Sequence, residues 1–497
     1  MLTKQFNRRE FMGQASCAGL GYLTFMNSLL NLKAINSAAI SDSAVYDSFG
    51  DYKAIVCVLL AGGNDSFNML IPYTQAKHNE YVSARSGLST NGGLAIPRSQ
   101  LGGTTLNGNH NGVQYAIHPS MTGIRQLYNS GKVAFLANIG TLTHPNTTKS
   151  DYDNNIGMPI GLFSHADQIQ QWQTGIPDER GAKGWGGKMA DLIGACNANK
   201  NISMNISLSG SNIYQTGDTT IEYALDPYSG AVGFSGYDPD AMYLTEQIRT
   251  QAIDSLLGQK YLDIFEKTFM NTLKDARDGY IEFDAAFQNA IAFPTDVFPD
   301  SYLGRALETI TRTIDVKDVL GFKRQVFFIT VGGWDHHDEV IDNQQAMLGM
   351  VSSALARFQD ALGQSFNYVA ANGQTRSHAG INQENKVLTM LVSEFGRTLN
   401  SNGNGSDHAW GGNTMVMGGA GLLNGGNIYG TYPSLVSGNP IELGLGRFIP
   451  TLSTDQYFAE VAKWFGVPNN DLSTIFPNIG NFYNTNSSSL PIGFLNA

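Results

Sequence analysis

The chain has 497 residues, of which 42% are hydrophobic, 10% aromatic and only 15% charged. That balance excludes a disordered chain, a coiled coil, a collagen and a small disulfide scaffold. The formal net charge of −11 argues against nucleic-acid binding. The length fits one large α/β domain or two to three ordinary ones.

Residues 1–40 read as an export signal. Asn7-Arg8-Arg9-Glu10-Phe11-Met12 has the form of a twin-arginine motif. A weakly apolar stretch from Ala15 to Leu32 follows, then Lys33 and the small residues Ser37, Ala38 and Ala39 as a cleavage site. Glycine and polar residues dilute that stretch, which disfavours a membrane anchor. The expected partner at this stage is the twin-arginine export machinery, and the expected location is the periplasm or the exterior. Removing the signal leaves 27 basic and 41 acidic residues, a net of −14. No other segment is apolar enough to span a bilayer, so a soluble mature form is expected. Of the three cysteines, Cys57 and Cys196 lie beyond the signal. Cys57 sits within an apolar run and reads as a small core residue, and a disulfide between the two is disfavoured.

Along the mature chain, Lys53–Leu60 is the clearest strand. It is continuously apolar and ends at Ala61-Gly62-Gly63. Continuous rather than alternating apolar character predicts a strand buried on both faces of a parallel sheet. Val133–Ile139, Gln325–Val331 and Val387–Val392 have the same character, and Thr414–Met417 is a shorter example. Helical spacing appears over Pro119–Ser130, within Asp240–Ala286, over Asn343–Ala370 and over Asp455–Phe465, the last capped by Ser453 or Thr454. Strands alternating with helices predict an α/β fold with a mainly parallel central sheet sandwiched by helices. One domain over residues 50–480 is expected, with 209–310 as a helical insertion or cap and 484–497 as a flexible tail. Residues 89–112, 140–163 and 400–413 form long irregular loops, a length that often goes with function.

Ligands in parallel α/β sheets bind beyond the carboxyl ends of the strands. Three strands here end in carboxylates or histidines. Lys53–Leu60 leads to Asp65 and Asn68, Gln325–Val331 to Asp335, His336 and His337, and Val387–Val392 to Glu394 and Arg397. A following loop adds Asp407 and His408. Carboxylates suit hard divalent ions, and zinc-like ions also accept imidazole. The metal-ligand candidates are therefore Asp65, Asp335, His337, Glu394, Asp407 and His408. His336 should point away from its neighbours if the segment is extended. Glycines at these strand ends allow tight turns and close approach of backbone to an ion. Arg397 has the planar fork that recognises a phosphate or sulfate oxyanion. Asp65 also reads as an Asx-turn residue, Asn68 as a backbone-bonding amide, and Glu394 with Arg397 as a structural ion pair.

A second group is Ser164-His165-Ala166-Asp167. Ser164 reads either as an N-cap, with Asp167 completing a capping box, or as a nucleophile at a positively polarised helix end. The catalytic candidates are Ser164, His165 and Arg397. His118 is a weaker candidate, and His78, His110, His144 and His378 read as surface or loop residues.

At these residues the chain resembles the sulfatase-like family catalogued as domain of unknown function 1501, placed within the alkaline phosphatase and sulfatase superfamily. The resemblance is carried by the twin-arginine start, LAGGNDSFNMLIP (60–72), IHPSM (117–121), FSHADQIQQW (163–172), GGWDHH (332–337), SEFGRT (393–398) with DH (407–408), PTLSTDQY (450–457) and WFGV (464–467). It implies an alkaline-phosphatase-like fold with a parallel sheet holding two divalent ions (zinc, calcium, magnesium or manganese). By that likeness Asp65 matches a first metal carboxylate and Ser164 the nucleophile. Asp335 with His337 would make one metal pair, and Glu394, Asp407 and His408 the remainder. The chain departs from the superfamily pattern in having no histidine after His408 and no cysteine in a formylglycine motif. The expected function is an exported metal-dependent hydrolase of phosphate or sulfate esters, small or polymeric. The alternative is a non-catalytic exported binding protein on a degenerate hydrolase fold. No G-x-G-x-x-G follows a strand and no haem motif is present, which disfavours an oxidoreductase.

Overall fold

The computed structural model describes residues 49–233 and 237–496. The twin-arginine reading lies outside the described residues.

The chain folds around a mixed, largely parallel sheet. Its central strands are β1 (Lys53–Leu60), β4 (Val133–Gly140), β8 (Arg324–Val331), β11 (Val387–Val392) and β12 (Gly412–Met417). Shorter strands complete the set. They are β2 (Leu70–Pro72), β3 (Tyr115–Ile117), β5 (Asn205–Ser207), β6 (Tyr223–Asp226), β7 (Gly230–Ala231), β9 (Ser365–Val369), β10 (Thr375–Ala379), β13 (Ile428–Gly430) and β14 (Leu452–Ser453). The main sheet runs β13-β4-β12-β11-β1-β8-β5-β6-β7, with β14 also on β4. β1 lies parallel between β8 and β11, while β12 is antiparallel to both β11 and β4. β2–β3 and β9–β10 are separate antiparallel pairs.

β1 and β11 are buried along almost their whole length, which accounts for their uninterrupted apolar sequence. Helices Thr122–Asn129, Tyr302–Asp315 and Val340–Leu362 pack as one layer. Helices His165–Thr174, Trp185–Ile193, Thr454–Phe465 and Leu472–Ile475 form another group against the sheet. Ser453 caps Thr454–Phe465, its hydroxyl accepting the Asp455 N–H, and Gln456 closes the capping box. The helix expected over Asn343–Ala370 stops at Leu362. Gly363 turns the chain, and residues 365–369 pair as β9 with β10 instead.

Within 209–310, β6 and β7 extend the sheet edge, and helices Leu244–Leu257 and Ile264–Phe287 follow. The C-terminal segment, expected to be loose, is tied into the fold. The Glu460 carboxylate accepts the N–H groups of Ile492, Gly493 and Leu495, and Phe494 is fully buried. Cys57 is a buried core residue in β1, and it and Cys196 are not joined in a disulfide. Burial raises the Cys57 thiol pKa far above its ordinary value. Among the described residues no helix is long and apolar enough to cross a membrane.

Candidate metal centre

The register of the sheet brings the candidate residues to one edge. Leu59 of β1 pairs with Val392 of β11, and Leu60 with Val331 of β8. The three chains therefore leave the sheet side by side, in the crevice where such folds place ligands. Gly62, just past β1, has φ +128°, and a Cβ there would collide with the backbone of Trp334 and Asp335. Glycine is required for the two chains to lie this close.

After β8 the chain continues with alternating orientation. Asp335 and His337 face solvent, whereas His336 is buried. Glu394 follows β11. Its Oε1 accepts the Gly62 N–H at 2.7 Å and lies 2.7 Å from His165 Nδ1. His165 opens the helix His165–Thr174. Ser164 caps that helix, its hydroxyl accepting the Asp167 N–H at 3.4 Å. His408 comes from the loop before β12, and its Nδ1 lies 2.8 Å from the carbonyl oxygen of Phe163. His337 Nδ1 lies 3.0 Å from Asp407 Oδ1.

The tautomers follow from these partners. A carbonyl or carboxylate oxygen only accepts, so each Nδ1 is the donor in its bond. In the neutral imidazoles the three Nε2 atoms then carry lone pairs. Those atoms converge. His408 Nε2 lies 3.1 Å from His165 Nε2 and 3.0 Å from His337 Nε2. Asp335 Oδ1 is 3.2 Å from His408 Nε2 and 3.0 Å from His337 Nε2, while Oδ2 faces His165 Nε2 at 3.5 Å. Four electron-rich groups meet with no proton assigned among them. Two ligands ~2.1 Å from a tetrahedral ion would stand about 3.4 Å apart, close to the spacings seen. The ligand atoms of His165, Asp335 and His408 all lie within 4.8 Å of one another, and His337 Nε2 adjoins them at 3.0 Å from both His408 Nε2 and Asp335 Oδ1.

The outer contacts have the pattern that metal-ligating imidazoles require, in which the second ring nitrogen donates to a carboxylate or carbonyl. Glu394, Asp407 and the Phe163 carbonyl fill that role. Asn402 Nδ2 donates to Asp407 Oδ1 at 3.0 Å, and this bond, ahead of His337, holds the Asp407 carboxyl below its ordinary pKa. Burial opposes ionisation of Asp335, but the hydrogen bond and charge of Arg397 outweigh it and lower its pKa. Burial is the main cause of the lowered His408 pKa. The Phe395 ring lies beneath both His165 and His408, with centroids 4.8 and 4.6 Å away. Behind Glu394 and Phe395 a small cavity of about 40 Å³, partly open to solvent, is lined by Trp172, Trp410 and Tyr457. None of the three clustered histidines lines it, so it backs the cluster rather than forming it.

Several expected roles change. Asp65 is not brought to the histidines. It is fully buried in an ion pair with Arg85, whose Nη1 also donates to the Thr398 carbonyl. Asn68 is structural, accepting from the Tyr81 hydroxyl and donating to the Leu94 carbonyl. Arg397 does not present its fork to an oxyanion. It is fully buried, its Nη1 donating to Asp335 Oδ1 at 2.8 Å and to Gly62 O at 3.0 Å, and its Nε to Ser406 O at 3.1 Å. Its Nη2 also donates to Ser406 O. Arg397 therefore orients Asp335. Glu394 and Asp407 orient imidazoles rather than pointing at the convergence. His165, expected beside Ser164 as a catalytic group, converges with Asp335 and His408, while the Ser164 hydroxyl is engaged at the helix cap. His78 is buried against the Ile96 carbonyl rather than lying at the surface. The Phe163 carbonyl and Asn402 had no sequence signal, since one acts through its backbone and the other is an ordinary loop amide.

Residues 380–443 match the family model described as "Protein of unknown function (DUF1501)". The match contains β11, Glu394, Arg397, Asp407, His408 and β12, and supports the resemblance to that family. No curated protein matches the chain.

Proposed function

We propose that this chain is an exported metal-dependent hydrolase of phosphate or sulfate esters, related to the alkaline phosphatase and sulfatase superfamily. The observation that carries the reading is the convergence of three Nε2 lone pairs and the Asp335 carboxylate, each imidazole fixed by an Nδ1 partner. Neutral nitrogens and a carboxylate oxygen suit a zinc-like divalent ion. Asp335 turns one oxygen to each side, so one or two ions can be held. A bound ion would supply Lewis acidity to polarise the ester oxygen. His165, His337 and His408 hold the ion, and Arg397 fixes Asp335 against it. The Ser164 hydroxyl is committed to its helix, which favours water over Ser164 as the attacking group. Export rests on Arg8-Arg9 and the segment after them.

A second reading, a non-catalytic binding protein, is favoured by Asp65. Its pairing with Arg85 removes the carboxylate that the superfamily resemblance assigns to a metal. Metal content and turnover separate the two. The hydrolase binds a divalent ion and cleaves at least one of an aryl phosphate, a phosphodiester and an aryl sulfate, and Asp335→Ala loses both. A binding module turns over none of them.

A further inference from the structure

Helix Ile264–Phe287 carries an apolar stripe that is covered over only part of its length. Phe265, Phe269, Leu273, Ala276, Phe283 and Phe287 recur at spacings of three, four and seven residues, which places them on one side of the helix. Its C-terminal part is buried against the sheet edge. Phe283 and Phe287 stack at 5.5 Å, and Phe283 lies 5.7 Å from the Tyr223 ring of β6. Phe265 lies about 27 Å further along the helix axis and is 81% exposed. Leu262, just ahead of the helix, is fully exposed.

The preceding helix, Leu244–Leu257, is tied to it by Asp254, whose Oδ1 accepts the Arg277 Nη1 at 2.7 Å. Thr250 and Leu257 are its buried side. Leu244, Ile248 and Leu256 follow one another at multiples of four residues on the opposite side, each more than half exposed. Met242 and Tyr243, just before the helix, are largely exposed as well.

Single exposed apolar residues are ordinary, but a concentration on one two-helix segment is not. Together these side chains offer an apolar area on the order of the ~800 Å² per partner that a stable interface buries. Charge selects the occupant. Residues 242–269 carry three basic and four acidic side chains, interleaved along the segment. An anionic lipid surface requires a basic excess, which is missing here. A surface of mixed sign near neutrality is self-complementary, and on a chain of net charge −11 two copies meet there with little repulsion.

We propose that segment 242–269 is a self-association surface, covered in solution by the same segment of a second copy of this chain. The contact is isologous, each copy burying its Phe265 end and its Leu244–Leu256 row against the other.

The test is sedimentation velocity of the full chain across the micromolar range. The wild type is expected to sediment as a dimer in concentration-dependent exchange with monomer. Leu262→Asp/Phe265→Asp and, separately, Ile248→Asp should weaken association at least tenfold with unchanged thermal melts, because these side chains are exposed. Val319→Asp, at an exposed apolar residue outside the segment, should dimerise as the wild type does. Hydrogen exchange of the wild type, compared at the two ends of the range, should slow across 242–269 as the dimer forms, which reads the surface without any variant. A wild type that stays monomeric overturns the proposal, as does a dimer that both variants retain within twofold, or slowing confined to other segments. A monomer that floats with phosphatidylcholine vesicles and loses them in Leu262→Asp/Phe265→Asp assigns the surface to lipid and overturns it too.

Discussion

The Nε2 atoms of His165 and His408 lie 3.1 Å apart, and in the neutral tautomers that their Nδ1 partners select neither carries a hydrogen for a bond between them. The His165 Nδ1 proton is held by Glu394 and that of His408 by the Phe163 carbonyl. The contact is what the proposed metal centre requires of two ligands sharing an ion.

Orienting residues should matter for affinity more than for fold. Glu394→Gln and Asp407→Asn keep the shape but weaken the partners of His165 and His337. Loss of such outer partners lowers metal affinity by about 10- to 100-fold. Competition titration with a chromogenic chelator should show this drop. Affinity unchanged in both variants would separate these carboxylates from the centre.

Asp65 and Arg85 should behave as a structural pair. Both side chains are fully buried, and Asp65 Oδ1 and Arg85 Nε have no other partner. Removing one member strands a buried charge, at a cost of about 3–5 kcal/mol. Urea denaturation of Asp65→Ala and Arg85→Ala should each show this loss. The double variant Asp65→Leu/Arg85→Met should be far less destabilised than the sum. Its metal stoichiometry should equal that of the wild type, whereas a ligand role for Asp65 would reduce it.

Arg397→Met removes the hydrogen bonds to the Gly62 and Ser406 carbonyls and frees Asp335. Buried groups left unpaired cost about 1–3 kcal/mol each, so destabilisation of about 2–6 kcal/mol is expected for the two carbonyls. Metal affinity should fall as well, because the Asp335 carboxylate loses its anchor. A stable variant with intact metal binding would contradict the positioning role.

How much of this was legible depended on burial and on distance along the chain. β1, β4, β8 and β11 are buried on both faces, so their apolar runs are continuous and easily read. β5, β7, β13 and β14 have two or three residues each, too few for any period. β9 alternates exposed and buried residues, but it follows directly on a long helix whose apolar spacing its Phe366 and Tyr368 continued. At the site, strand ends located Asp335, His337, Glu394 and His408. The opposite orientation of His336 was legible from the period of two. Partnerships were not. Asp65 is claimed by Arg85, twenty positions on, and Arg397 is enclosed by Ser406 and Gly62, which no local pattern signals.

The pH dependence of stability should carry a mark from His118. Its ring is buried, and its Nδ1 accepts the Ser120 N–H, which fixes the neutral form. Burial lowers its pKa from 6.5 to about 4. In the unfolded chain it titrates near 6.5, so between these values the unfolded state binds more protons. The stability is present above pH 6.5 and is lost as pH falls through about 4. A shift of that size corresponds to roughly 3 kcal/mol. Urea midpoints of His118→Leu should be flatter over this range than those of the wild type. An equally steep acid limb in the variant would assign it to other groups.

The most direct test of metal binding by these histidines is anomalous diffraction from crystals of the zinc-loaded chain, collected above and below the zinc absorption edge. A peak is expected about 2.0–2.2 Å from His165 Nε2, His408 Nε2 and a carboxylate oxygen of Asp335. His337 should lie in the same shell or at an adjoining peak. A map with no anomalous density among these residues, from crystals grown in excess zinc, would contradict it.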